Sequence, residues 1–504
     1  MKYTNEDINL ENGIQKEWII TNGIGGFASS TIIGANTRKY HGLLIAPLTP
    51  PARRYLILSK VDESIEIGGK QYNLYTNIGK NYITKGYEYQ TSFEKEEIPT
   101  LKYKISDVEI TKQICMKYGE NTVGILYKIK NGKQPTKLTL APLMNFRDFH
   151  SMSTNHEFKI RQENKGTKLK VIIDNMIQNP IYIKVSEGIY IPHNNDIFRN
   201  MFYIEEQKRG FYPEENHAVV GRYEIEIKPN EEKEISFVCS LEENIDELDV
   251  KKLIIKEKQR ISKILEKTEI DFSEKQDKTE DEEKRQELIK NLVISADTFI
   301  AYRPSFRLHT IIAGYPWFLD WGRDSLISFE GLLLKTKRYD IAKEVLKTMM
   351  RDIKYGLVPN GYSGFDNRPL YNSVDASLLL FEQIQKYLEY TKDQEFIKEI
   401  FEKLEIIIEN YKKGIDIDNN NIYLDTDHLI VSGTENTQNT WMDAKVDGVA
   451  VTPRNGKAVE INSMWYNSLK IMENICKELR RKQKSKKICR TSKTNKKFFW
   501  RQIL

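Results

Sequence analysis

Between about residues 15 and 250, apolar and polar positions alternate along the chain in short segments. Such segments recur at 55–58, 82–89, 110–116, 123–129, 168–173 and 181–185. Turn-forming pairs such as Asn131-Gly132 separate them, as is usual between antiparallel strands. Many short strands at this spacing predict a β-sandwich.

After about residue 284 the apolar positions recur with the period of a helix. This pattern predicts six helices, at 286–301, 325–335, 340–354, 374–390, 396–411 and 460–479. Helices of this length, joined by long aromatic-rich loops, are typical of an α/α toroid. We therefore expect a multidomain β + α protein.

Charged sequence separates the two patterns. Residues 251–283 contain few apolar positions and predict a helical, charged linker. It would follow a β-sandwich domain at 1–250 and precede a helical domain at 284–478. Residues 479–504 show no clear apolar stripe, which predicts a basic, disordered tail.

The basic residues are concentrated in this tail. The whole chain of 504 residues has a net charge of +5, but residues 477–504 hold 12 Lys and Arg against Glu478 alone. That local excess of +11 leaves −6 for the remainder, which is mildly acidic. A mildly acidic body suits an enzyme with a neutral substrate. Nucleic-acid binding through the tail stays a weaker alternative, because the body offers no basic face.

Several other classes of protein are not indicated. No apolar run approaches the ~20 residues of a membrane span, and residues 1–12 lack the apolar region of a secretory signal. The four cysteines are far apart and predict free thiols in a reducing cytoplasm. The seven histidines have no metal-ligand spacing, so we predict no metal. Gly23, Gly25 and Gly26 lack the Lys-Ser/Thr end of a phosphate-binding loop, which favours a tight turn.

One loop-like stretch places a carboxylate between an aromatic residue and a cation. Asp443 lies between Trp441 and Lys445, in a run rich in Gly and Pro. An indole that excludes water from a carboxyl group suits a general acid. From the local pattern alone, an Asp that caps a helix is an equal alternative.

A second cluster, Asp320-Trp321-Gly322-Arg323-Asp324, precedes a predicted helix. Charged planar groups bind vicinal hydroxyls, and an aromatic ring stacks on the C–H face of a sugar. The alternative is a helix cap. A further polar and aromatic loop extends from Tyr362 through Phe365 to Asp375, and either lines the same pocket or begins a helix. Glu460 likewise either contacts a ligand or is a first-turn helix charge.

Three stretches resemble glycogen-debranching enzymes of the prokaryotic type. They are EWIITNGIGGFASSTIIGANTRKYHGLLIA at 17–46, RPSFRLHTIIAGYPWFLDWGRDSLISFEGLL at 303–333, and TWMDAKVDGVAVTPRNGKAVEIN at 440–462. The stretches occur in the order of that family, and the resemblance covers most of the chain from about residue 17 to about 471.

The resemblance implies both an activity and a set of site residues. The family hydrolyses α-1,6-linked glucose at glycogen branch points with an inverting acid and base, without a cofactor. Asp443 matches the acid, and Arg323 and Asp324 would hold the terminal glucose, with Asp320, Trp321, Trp441, Lys445 and Glu460 also contacting the glycogen or other branched α-glucan. The family's eukaryotic members carry a separate glucanotransferase domain, which is not expected here.

The resemblance also implies an (α/α)6 barrel of twelve helices, of which about six are predicted. The family's base is a Glu beyond the acid segment, so we expect this chain to be truncated or frameshifted near Leu479 and to have little activity alone. The alternatives are a glucoamylase- or trehalase-like toroid glycosidase and a non-catalytic glucan-binding remnant.

Overall fold

The computed structural model describes residues 1–154, 156–173, 179–268, 279–364, 366–417 and 420–503. Its described residues divide into two compact units. The first contains 1–266 and 279–294, and the second contains 267–268 and 295–503. Part of the predicted linker, 269–278, lies outside the described residues.

The first unit consists mainly of strands. In chain order its elements are β1 (Lys2–Thr4), α1 (Leu10–Gly13), β2 (Glu17–Thr21), β3 (Phe27–Thr31), β4 (Gly42–Thr49), β5 (Ala52–Ile67), β6 (Lys70–Asn73), β7 (Gln90–Lys95), β8 (Pro99–Ile105), β9 (Val108–Met116), β10 (Thr122–Lys130), β11 (Thr136–Asp148), β12 (Ile160–Lys165), β13 (Lys168–Ile173), β14 (Ile181–Val185), β15 (Ile189–Phe202), α2 (Ile204–Lys208), β16 (Glu214–Ile227), β17 (Glu232–Ser240) and α3 (Val250–Lys267).

These strands form two large antiparallel sheets within the described part of the unit. One has the order β1-β7-β8-β9-β10-β17-β14-β13-β12, and the other has the order β15-β16-β11-β5-β4-β3-β2, with β6 also paired to β5. Alternate side chains from both sheets share one hydrophobic core, which includes Phe93, Leu140 and Phe237. Burying each such side chain contributes roughly 1.5–3 kcal/mol, so the alternation in the sequence is what specifies this arrangement.

The first unit is β-sandwich-like, as the alternating pattern predicts, but one predicted strand does not form. Residues 82–89 do not form a strand; Gly86–Tyr89 form a single 3-10 turn. A side chain at Gly86 would approach the carbonyl of Leu74 to 2.3 Å. The backbone is therefore packed too closely here for an ordinary strand position.

The predicted linker begins as a helix that packs on the first unit. Val250, Leu253 and Ile254 of α3 are buried in a cluster with Val238 of β17. Apolar residues three and four positions apart supply this face, although the helix is otherwise highly charged.

The second unit contains helices and short hairpins. Its elements are α4 (Glu280–Thr298, shared with the first unit), β18 (Ile300–Arg303), β19 (Leu308–Ile311), α5 (Gly322–Phe329), α6 (Tyr339–Arg351), β20 (Gly361–Tyr362), β21 (Pro369–Leu370), α7 (Ala376–Thr391), α8 (Gln394–Lys413), β22 (Tyr423–Leu424), β23 (Ile430–Val431), β24 (Lys445–Val446), β25 (Val449–Ala450), α9 (Val459–Glu478) and α10 (Lys482–Ile503). A π-helical turn, Glu330–Leu334, extends α5.

The helices of the second unit share a separate core. Phe329, Phe381, Leu404 and Trp465 are fully buried there, and the Trp465 ring stacks on Tyr411 with centroids 5.9 Å apart. The six predicted helices correspond to α4 to α9, with ends that differ by a few residues. Among the described residues, each helix is too short or too polar to cross a membrane.

The expectation of a disordered tail is wrong for 482–503, which form helix α10. Ser485, Ile488, Ser492 and Asn495 are buried along one side of it, and Asn495 Nδ2 donates a hydrogen bond to His428 O at 2.8 Å. This face was missed because three of its four residues are polar, so it carries almost no hydrophobic signal.

Candidate active site

The second unit holds Asp320 in a buried ion pair. Arg303, at the end of β18, donates from Nε to Asp320 Oδ2 at 2.7 Å and from Nη2 to Oδ1 at 3.0 Å. Thr310 Oγ1 of β19 donates to the same Oδ2 at 2.9 Å. Both carboxylate oxygens therefore have protein partners and Asp320 is buried. It anchors the β18–β19 hairpin to the start of α5, which differs from its predicted contact with sugar.

Trp321 sets the position at which α5 begins. It occupies the N-cap without a side-chain capping bond, so neither neighbouring Asp caps the helix. The Gly322 N–H donates to Asn360 O at 2.7 Å, and a side chain at Gly322 would approach Pro359 O to 2.6 Å. The backbone of 359–361 thus fixes the first turn of α5, from which Arg323 and Asp324 project.

Arg323 connects three separate segments. Its Nε donates to Asp375 Oδ2 at 2.7 Å, and its Nη1 donates to Asp443 Oδ2 at 3.0 Å. Burial alone would lower the pKa of Arg323, but the two carboxylates outweigh it and raise the pKa. The third nitrogen, Nη2, is buried and has no hydrogen-bond partner among the described residues. A buried guanidinium N–H in this state is usually explained by an ordered water or a bound ligand.

Asp375 is the support for Arg323. It is buried at the N-cap of α7. Its Oδ1 accepts a hydrogen bond from Ser373 Oγ, which in turn accepts one from the Ala376 N–H at 3.1 Å. The sequence left open whether Asp375 belongs to the pocket or begins a helix; it begins helix α7, and its carboxylate accepts a hydrogen bond from Arg323. Phe365, from the same predicted loop, lies outside the described residues.

Asp324, like Asp443, is exposed to solvent. Partial desolvation raises its pKa, and Asp443 and Asp375 add to the increase, whereas Arg323 opposes it. Such a carboxyl group is well suited to exchange hydrogen bonds with sugar hydroxyls, because it is open to solvent and pairs with no lysine or arginine among the residues that the structure describes.

Asp443 lies in a loop fixed at its base. The buried Asn439 accepts a backbone hydrogen bond from the Val374 N–H at 2.9 Å, which ties this loop to the segment before α7. The Asp443 side chain is 39% exposed, and the helix that follows, α9, has Ala458 as its N-cap. Asp443 therefore does not cap a helix, and its carboxylate faces both Arg323 and solvent.

A second group forms around Trp441, a residue that is 55% exposed. The guanidinium of Arg454 lies 6.0 Å from the ring centroid, and its Nη1 donates to Thr440 Oγ1 at 3.2 Å. Both carboxylate oxygens of Glu460 bind Arg454, with Oε2 2.8 Å from Nη2. Glu460 therefore holds Arg454 beside Trp441. Sequence reasoning missed the role of Arg454, because it lies in the loop before α9, where no regular spacing predicts the pair with Glu460.

Lys445 and Asp443 contact different residues. Its Nζ donates to Asn436 O at 2.9 Å, and it begins the exposed β24–β25 hairpin. Asp447 and Gly448 at the tip have φ angles of 49° and 81°, as a two-residue hairpin turn requires. The structure thus brings together Arg323, Asp324, Asp375 and Asp443, and separately Trp441, Arg454 and Glu460.

Comparisons with known proteins give one match in the first unit and another in the second. Residues 16–234 match the family described as glycogen debranching enzyme N terminal, and residues 294–502 match the family described as amylo-alpha-1,6-glucosidase. The second match extends through most of α10.

A glycogen debranching enzyme of Saccharomyces cerevisiae is 26% identical over 226 residues, which is 34% of this chain and 15% of the yeast protein. A bacterial glucoamylase complexed with acarbose has a similar fold, with a TM-score of 0.51 at 12% identity over 98% of this chain and 67% of the other. Because the N-terminal model and the glucosidase model match the first and second parts of the sequence, the chain belongs to the glycogen debranching enzyme family.

Proposed function

We propose that the chain acts on branched α-glucans such as glycogen, at the α-1,6-linked glucose of a branch point. The observation that carries this proposal is the buried Nη2 of Arg323, which has no partner in the described part of the chain, beside the carboxylates of Asp324 and Asp443. A pyranose ring presents vicinal hydroxyls at the spacing that such groups bind.

Within this proposal, Arg323 and Asp324 hold the terminal glucose and Asp443 is the general acid that protonates the glycosidic oxygen. Arg323 also orients the Asp443 carboxyl group. In an inverting hydrolysis a second carboxylate activates water on the opposite face of the sugar. Asp375 is unsuited to that role, since both of its oxygens are bound by Arg323 and Ser373.

Trp441 is proposed to stack on the glucan beyond the scissile bond, with Glu460 acting through Arg454 rather than by contact. Helices α5 to α10 would belong to an (α/α)6 barrel. The fold similarity to a glucoamylase supports this arrangement only at the level of architecture.

The test is release of glucose from a phosphorylase limit dextrin, compared with release from a linear maltooligosaccharide. Preference for the limit dextrin supports the proposal, and preference for the linear chain indicates a glucoamylase-like specificity. The expectation that this chain alone has little activity stays a prediction, which robust glucose release would contradict.

Asp443→Asn tests the acid. We expect turnover to fall roughly 10²–10⁴-fold with little change in glucan affinity, the usual contribution of a positioned proton donor. Asp425→Asn is a matched control, since Asp425 pairs with Lys457 away from Arg323. Near-normal turnover of the Asp443 variant on limit dextrin would remove it from this role.

A further inference from the structure

The first unit displays an aromatic and cationic cluster that the proposed site does not use. We call it the Phe211 patch, and it consists of Lys39, Tyr40, His150, Arg209, Phe211 and Tyr212. Each of these residues lies in the first unit.

Two neighbouring rings of the patch face solvent. Phe211 is 52% exposed and Tyr212 is 59% exposed. Adjacent exposed aromatic side chains retain unfavourable contact with water, and such clusters mark interaction sites more often than scattered apolar residues do.

Cations flank the Phe211 ring. Lys39 Nζ lies 5.5 Å from the Phe211 centroid and 5.3 Å from that of Tyr40, and the Arg209 guanidinium lies 5.0 Å from Phe211. Lys39 Nζ also donates to His150 O at 2.6 Å. The patch therefore combines exposed aromatic rings with N–H donors that lie over the Phe211 ring.

The buried carboxylate of Glu206 offsets part of this positive charge. Its Oε2 lies 3.4 Å from Arg209 Nη1, and its Oε1 accepts from the Lys39 backbone N–H at 3.3 Å. A strongly anionic ligand would meet this carboxylate just beneath the surface. A neutral, hydroxyl-rich ligand meets no such repulsion.

The loop that carries the two rings is held in place. Tyr203 N donates to Pro213 O at 2.8 Å and closes the base of the loop, and Phe211 N donates to Glu206 O at 3.0 Å after Gly210 ends α2 with a φ of 80°. Glu205 N also donates to Thr37 O at 3.0 Å. Because the backbone that carries the rings is held before a ligand arrives, little backbone entropy is lost on binding.

We propose that the Phe211 patch is a second α-glucan-binding site, where Phe211 and Tyr212 stack on glucose rings and Lys39 and Arg209 donate to their hydroxyls. The ligand class rests on the proposed function. The patch is distinct from the proposed active site around Arg323. It would retain the chain on glycogen without taking part in bond cleavage.

The experiment measures retention of the full 504-residue chain in native gels that contain glycogen, together with binding of acarbose, a short probe for the Arg323 site. The double variant Phe211→Ala/Tyr212→Ala should lower glycogen affinity roughly tenfold or more, by the loss of two aromatic contacts. Its acarbose affinity should be unchanged. Phe211→Trp, which keeps an aromatic face, should retain most of the affinity.

Tyr118→Ala is the matched control, because Tyr118 is an exposed ring of the same unit with Arg260 4.2 Å from its centroid. Unchanged glycogen retention in the double variant, an equal loss in the control, or no retention of the wild type would each overturn the patch. If the wild type fails to bind acarbose but its glycogen retention still depends on Phe211, the proposed active site is overturned and the patch stands.

Discussion

The guanidinium of Arg323 organises the candidate site at the scale of single residues. Two of its nitrogens bind Asp375 and Asp443, and the third is buried without a partner among the described residues. Arg323→Ala should weaken acarbose about tenfold or more, because removing a buried hydrogen-bonding partner costs roughly 1–3 kcal/mol. An unchanged dissociation constant in a folded variant would exclude Arg323 from the ligand site.

Asp375 acts on the ligand through Arg323. Asp375→Asn keeps the size of the side chain but removes the charge that holds Nε, so we expect weaker acarbose binding with a smaller loss than for Arg323→Ala. Asp366→Asn, on an exposed part of the neighbouring loop, is the control and should leave titration calorimetry with acarbose unaltered.

His217 gives the first unit a pH dependence. Asn145 Nδ2 lies 3.4 Å from its Nδ1, and Tyr203 Oη lies 3.3 Å from its Nε2 while donating to Glu215 Oε2 at 2.6 Å. A neutral ring with its proton on Nε2 satisfies all three groups. Burial lowers the pKa of His217 to about 4, with Arg147 and Lys60 acting in the same direction and Glu215 opposing them.

The unfolded chain therefore binds more protons than the native state between about pH 6.5 and 4, and stability falls as the pH is lowered through that range. The loss amounts to about 3 kcal/mol. Urea unfolding at pH 7 and pH 4 should show this difference for the wild type and a smaller one for His217→Gln. Equal pH dependence of the two proteins would contradict the assignment. Glu17, whose pKa is lowered to about 2, loses its contribution only below about pH 4.5, outside most of this range.

At the scale of elements, helix α10 packs on the second unit through a mostly polar face. Ile488 belongs to the core of the second unit, and Arg481, just before α10, lies over the Phe401 ring at 3.9 Å. Ile488→Ala should destabilise the second unit by roughly 2–5 kcal/mol, whereas Lys493→Ala on the exposed side should change it by less than about 0.5 kcal/mol. Denaturant unfolding measures both, and equal effects would mean that α10 is not packed in solution.

The elements also show which parts of the structure a sequence predicts. Strands and helices with a regular apolar period, such as β10 and α8, were found because burial of one face dictates that period. Residues 82–89 carry the same alternation, but the close backbone contact at Gly86 prevents a strand there. Helix α10 was missed because its buried stripe is mostly polar. In the site, adjacent charges in the chain suggested one role for Asp320, Arg323 and Asp324. Asp320 instead forms a buried ion pair with Arg303. No local pattern in the sequence predicts that pair.

At the scale of the whole molecule, the two units have separate cores. Differential scanning calorimetry should therefore resolve two transitions, since each core can melt as its own cooperative unit. Ile488→Ala should lower the midpoint of one transition, and acarbose should raise the midpoint of that same one. A single transition shifted by both would show that the units unfold together.

The connections of Arg323 also set an order of events during synthesis. Its partners lie 52 and 120 residues further along the chain, and closing the longer loop carries the larger entropic penalty. A ribosome releases Asp375 well before Asp443. The nascent chain can pair Arg323 with Asp375 while the proposed acid is still being translated, so binding groups assemble before the cluster is complete.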